Sequence, residues 1–122
     1  TAAGIAQAKL GTSWSEAVFR GVLCNVLVCL AVWLALAART VTGKILAIIW
    51  PITAFVALGL EHSVANMYLL PQGILAGANA SISGVIENLL FVTLGNIVGG
   101  AGGVALSYRL AYGSNVHSRE NM

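Results

Sequence analysis

ILAIIWPITAFVALGLEHSVANMYLLP, residues 45–71, decides the reading of the whole chain. From Ile45 to Leu60 the run is apolar for about 16 residues, or ~24 Å of helix at 1.5 Å per residue. A bilayer core is roughly 30 Å thick, so the run stops short of a crossing. A carboxylate, an imidazole and a hydroxyl then follow together as Glu61, His62 and Ser63, with Asn66 close behind. The apolar pattern resumes as VANMYLL and stops at Pro71. Non-helical backbone at membrane depth is tolerated only where protein buries it or where it lines a wet cavity. Short, interrupted apolar segments of this kind point to a transport site. Residues 45–70 therefore read as one broken span, interrupted near 59–66, with Pro51 able to kink its first half and free a carbonyl.

The surrounding composition agrees. The chain has 122 residues, of which 58% are hydrophobic and 8% charged, with 14 glycines and a formal net charge of +2; mean hydropathy is +0.88. A soluble domain carries about 25% charged residues. The balance excludes a soluble enzyme, a disordered chain and a basic protein with a nucleic-acid partner, and makes the lipid bilayer the surroundings. A first span reads from Ala17 to Ala38 and a third from Val85 to Tyr112, each long enough to cross. The fold class is an all-α membrane protein of three transmembrane spans, with residues 1–122 a single partial transmembrane domain. Arg39 and Lys44 sit in the turn after the first span, Arg109 and Arg119 lie toward the C-terminus, and the loop from Pro71 to Gly84 has no base. Basic residues favour the cytoplasmic side, so the spans run out-to-in, in-to-out and out-to-in, and the hydrophilic tail 113–122 is cytoplasmic. A start at Thr1 reads as a piece of a longer chain, and no secretory signal pattern is present at this end.

Several residues then carry chemistry. Glu61 and His62 are ionisable groups inside a span, a functional position by default, and an imidazole changes charge near physiological pH. The plainer reading is a hydrogen-bonded pair that stabilises the break. Asn25 shares a helix face with Gly21 and Val28; alone it would equally serve to bridge two helices. Phe55, two turns before His62, reads as lipid-facing or packing when taken alone. Glu16 and Arg20 form an i,i+4 ion pair near the outer surface, and Lys9 is a flanking charge. Gly95, Gly99 and Gly103 repeat every four residues, the spacing that lets helices approach closely in lipid, so the third span reads as a packing helix. Cys24 and Cys29 lie on different helix faces and read as small packing residues.

Other signals fail. Gly100, Gly102 and Ala105 imitate a dinucleotide fingerprint without the strand it requires. The two histidines, His62 and His117, are too few and too far apart for a zinc site or paired haem ligation, so no cofactor is expected. Asn79-Ala80-Ser81 matches a glycosylation sequon, a three-letter pattern common by chance. No nucleophile–base pattern marks an enzyme.

Three stretches, GVLCNVLVCLAVW at 21–33, GLEHSVANMYLLP at 59–71 and VTLGNIVGG at 92–100, resemble the formate/nitrite transporter family. The resemblance extends from about Lys9 to the tail and matches the C-terminal half of a typical member. It implies an aquaporin-like protomer of six spans in two inverted repeats, assembled as a homo-oligomeric pentamer in the bacterial cytoplasmic (inner) membrane. This chain would supply spans four to six and need the N-terminal half to close a pore. The implied function is proton-linked passage of a small monovalent anion, formate first and nitrite next, as the neutral acid. By likeness His62 is the central pore histidine, Asn25 and Val28 line the inner constriction, and Phe55 is the outer hydrophobic gate. Lys9 matches a vestibule lysine that forms a polar network with Glu61 and Asn66. Arg20 departs from members that carry an apolar residue there. Two other readings stay open: a structural membrane subunit, and a neutral-solute aquaporin-like channel, although the chain has no Asn-Pro-Ala.

Overall fold

The computed structural model describes residues 1–113 and is helical throughout. Helix α1 covers Ala2–Leu10, α2 Trp14–Ala37, α3 Val41–Ala57 and α4 Ser63–Leu75. Helix α5, Ile82–Ile97, continues through a π-helical stretch, Val98–Ala105, into α6, Leu106–Tyr112. Of the expected cytoplasmic tail 113–122, residues 114–122, with His117 and Arg119, lie outside the described residues.

Local chemistry explains where most helices begin. Thr1, Ser13, Thr40 and Ser81 each accept a hydrogen bond at the side chain from the N–H three residues on, at Gly4, Glu16, Gly43 and Gly84. Such caps satisfy N–H groups that the first turn leaves unpaired. Helix α4 differs: His62 stands at its N-cap without a side-chain cap bond. Helix α3 ends in a Schellman turn. Gly59 donates to the Val56 carbonyl and Leu60 to the Phe55 carbonyl, both at 3.1 Å, with Gly59 at φ +61°. That left-handed conformation suits glycine at C′. Helix α4 ends the same way at Gly77, φ +95°.

Three results depart from the sequence reading. The interruption is tighter than 59–66: helix α3 ends at Ala57 and α4 begins at Ser63, so Asn66 already sits in a helical turn, its N–H bonded to the His62 carbonyl at 2.9 Å. Helix α4 also runs through Pro71 to Leu75. A proline inside a helix forfeits one hydrogen bond, and tertiary contact holds this one. The N-terminal flank, read only as carrying the charge of Lys9, folds as α1 and lies along α4, where Ala6, Leu70 and Ala78 form a small core. Gly73 makes room for that contact, since a Cβ there would collide with Ala6.

Helix α2 and the α5–α6 rod, Ile82–Tyr112, are each long and apolar enough to cross a membrane, while α3 is a shorter apolar helix of 17 residues. Their seam is the glycine face. A Cβ on Gly95 would strike the Val18 carbonyl oxygen and one on Gly99 the Val22 carbonyl oxygen. Gly21 answers from the other side, where a Cβ would lie 2.9 Å from the Val92 oxygen. Valines and glycines at matching four-residue intervals thus set two backbones in contact, the packing that works where lipid removes the hydrophobic drive. Large apolar side chains such as Phe19, Leu36, Trp50 and Leu110 stand exposed on the outer faces.

Candidate functional site

The helix break Leu58–His62 lies where all the long elements meet. His62 has extended backbone, φ −117° and ψ 121°. The peptide groups on either side of it are held by one side chain, Asn96 of α5. Asn96 Nδ2 donates to the Glu61 carbonyl at 3.0 Å and to the Gly21 carbonyl at 2.9 Å. Its Oδ1 accepts from the Ser63 N–H at 2.9 Å and the Ser63 hydroxyl at 3.1 Å. An amide offers two donors and two acceptor lone pairs, and Asn96 uses all four. It replaces the missing cap of α4 and ties α2, the break and α4 to α5. The His62 ring is left half-buried beside Phe55, ring centroids 6.4 Å apart.

Glu61 points into a second cluster. It is 1% exposed, and its Oε2 accepts from Lys9 Nζ at 2.9 Å and Asn66 Nδ2 at 2.6 Å. Asn66 also donates to Asn88 Oδ1 at 2.9 Å, and Asn88 Nδ2 donates to the Lys9 carbonyl at 3.1 Å. Lys9, Glu61, Asn66 and Asn88 thus close a ring that joins α1, the break, α4 and α5. A buried carboxylate without a partner is costly, and Lys9 is its counter-ion. The pairing also changes how Lys9 reads: its side chain is 14% exposed and bound to Glu61, so it is not a free flanking charge. Among buried side-chain atoms of the described residues, Asn66 Oδ1 has no partner.

Asn25 bridges helices, the plainer of its two readings. Its Nδ2 donates to the Asn96 carbonyl at 2.5 Å, just before the π-helical stretch. A side chain that bonds into the carbonyl ladder is one cause of such departures from α geometry. Val28, one turn on, lines an apolar groove with Cys29, Trp33, Gly100 and Tyr108. The structure therefore gathers Lys9, Glu61 and Asn66 in one cluster and pairs Phe55 with His62. Asn25 joins them through Asn96, while Val28 stands apart in the groove.

Asn88 and Asn96 were not singled out from sequence, and the third span is more than a packing helix. The available signal was two amides in an otherwise apolar run, costly in lipid unless each meets a partner. Among the described residues no three His, Cys, Asp or Glu side chains lie together to hold a metal.

Comparison with known proteins gives the family. The family model described as formate/nitrite transporter matches residues 1–110. A probable formate transporter of Methanothermobacter thermautotrophicus is 53% identical over 100 residues, covering 82% of this chain and 36% of that protein. Among solved structures, a protein described as an FNT family ion channel superposes with a TM-score of 0.85 at 41% identity, covering 90% of this chain and 45% of the other. A pentameric formate channel with formate bound gives 0.80 at 38% identity, covering 91% and 51%. These relatives are named as channels and transporters. The chain belongs to the formate/nitrite transporter family, and it spans about half, or less, of the length of the relatives it matches.

Proposed function

We propose that this chain supplies half of a formate pathway, as spans four to six of a six-span protomer in a pentamer, with its C-terminus cytoplasmic in a bacterial inner membrane. The names of its relatives, a formate transporter and a formate channel with formate bound, support formate as substrate; nitrite, of similar size and charge, comes next. The observation that carries the reading is the half-buried His62 ring, fixed by its backbone at a helix break and free of a cap bond.

Magnitudes favour passage as the acid. Moving a bare carboxylate-sized ion into a low-dielectric medium costs on the order of 20 kcal/mol before relaxation. Neutralising a carboxylic acid of pKa ~3.9 at pH 7 costs about 4 kcal/mol. The anion is drawn to the start of α4, where a helix N-terminus favours negative charge. His62 then donates a proton or sets the field that draws one from water, and the neutral acid passes Phe55 on one side and the Asn25–Val28 constriction on the other. Glu61, Lys9, Asn66 and their hydrogen bonds hold the break in shape.

His62→Phe in the full-length protein, reconstituted in liposomes, is expected to abolish or flatten the pH dependence of formate uptake between pH 5 and 8. A profile that matches the wild type would remove the histidine from the mechanism.

A further inference from the structure

The break must find partners for its carbonyls as well as its N–H groups. The Glu61 carbonyl is taken by Asn96 and the His62 carbonyl by the Asn66 N–H. The Gly59 carbonyl is reached from α2, where Arg20 Nη1 donates to it at 3.3 Å. The other terminal nitrogen, Nη2, is ion-paired with Glu16 one turn earlier on α2. Glu16 thereby aims the guanidinium, and the guanidinium holds the left-handed residue of the turn. With five N–H donors in a planar fork, Arg20 keeps donors free after both contacts, and its side chain stays 39% exposed.

The placement also has an electrostatic side. A broken helix presents a positive end, the start of α4, and a negative end, the close of α3. In such breaks the carbonyl end suits cations and the N-terminal end suits anions. Arg20 lies at the carbonyl end, and although its charge is shared with Glu16, its N–H occupies the Gly59 carbonyl, so that oxygen is not open to a cation.

We propose that Arg20 is a positioning and discriminating residue: it locks the Gly59 turn that carries Glu61 and His62, and by occupying a carbonyl that would otherwise draw a cation it leaves the start of α4 to favour a small carboxylate. The second half of this inference rests on the formate reading above; the first does not.

The test compares wild type, Arg20→Met and Arg20→Lys in the full-length protein. Amide hydrogen exchange over residues 58–62 reads the turn, because the Gly59 and Leu60 N–H groups are protected only while it stays closed. Arg20→Met is expected to speed exchange there at least threefold and leave α1 and α5 unchanged. In liposomes its half-saturation for formate is expected to rise about tenfold with maximal rate within twofold, and Arg20→Lys to recover most of that rise. Unchanged exchange in Arg20→Met overturns the positioning role. Unchanged half-saturation, or a rise that lysine does not reverse, overturns the discriminating role. A wild type that carries no formate overturns the formate reading and the discriminating role with it, while the exchange result still decides the hold on the turn.

Discussion

Asn96 Oδ1 lies 2.9 Å from the Ser63 nitrogen while Asn96 Nδ2 lies 3.0 Å from the Glu61 oxygen, so one amide from α5 grips the chain immediately before and after His62. The histidine at the centre of the proposed pathway is placed by backbone restraint, with its ring left available.

Replacing Asn96 with alanine strands the Glu61 carbonyl and the Ser63 N–H and hydroxyl, while the Gly21 carbonyl keeps its bond within α2. Each buried group left unpaired costs about 1–3 kcal/mol. Asn96→Ala is expected to lower the thermal midpoint of the detergent-solubilised protein well below that of a control at exposed Ile86. A midpoint equal to the control's would show that the clamp contributes nothing.

The Lys9–Glu61 pair predicts an order among variants. Lys9→Met leaves a buried carboxylate uncompensated, a loss of roughly 3–5 kcal/mol for a broken buried pair. Glu61→Gln keeps an acceptor for Asn66 and leaves a lysine that reaches solvent, so its loss is smaller. The double variant is expected to be more stable than Lys9→Met alone. Additive losses across the four proteins in a thermal-shift series would contradict a coupled pair.

The glycine seam separates crowded positions from open ones. Gly99→Ala puts a methyl against the Val22 backbone, whereas Gly102→Ala meets nothing within 4 Å. Overpacking of this kind costs about 1–3 kcal/mol, while alanine for glycine in an open helical site gains roughly 0.5–1 kcal/mol. Thermal midpoints should therefore move in opposite directions; equal shifts would mean the helices are not in contact at that level.

Phe55 has two duties to tell apart. Its carbonyl closes the Schellman turn, and its ring stands by His62. Phe55→Ala retains the carbonyl and removes the ring, so a gate predicts faster formate leak with little loss of stability. Unchanged leak in liposome efflux would return the ring to packing.

Much was legible in the linear chain. An apolar run too short to cross, ended by Glu61-His62-Ser63, already implied a break, because lipid offers such groups no partners. Gly95, Gly99 and Gly103 announced a close helix contact by spacing alone, since a helix repeats its face about every four residues. What spacing could not supply was the partner of each polar group. Asn96 meets Glu61 and Ser63 across more than thirty residues of chain, and only the α2–α5 seam brings it to that depth. Taken alone Lys9 reads as a flanking charge, and family likeness, not spacing, joins it to Glu61; the fold of α1 against α4 is what carries it there. Pro71 looked like a stop, yet helix α4 continues, because contact with α1 outweighs the one hydrogen bond a proline forfeits. Periodicity and polarity are properties of a segment and can be read along it; hydrogen-bond partners and charge pairing belong to the distances between segments, which arise only when the helices pack.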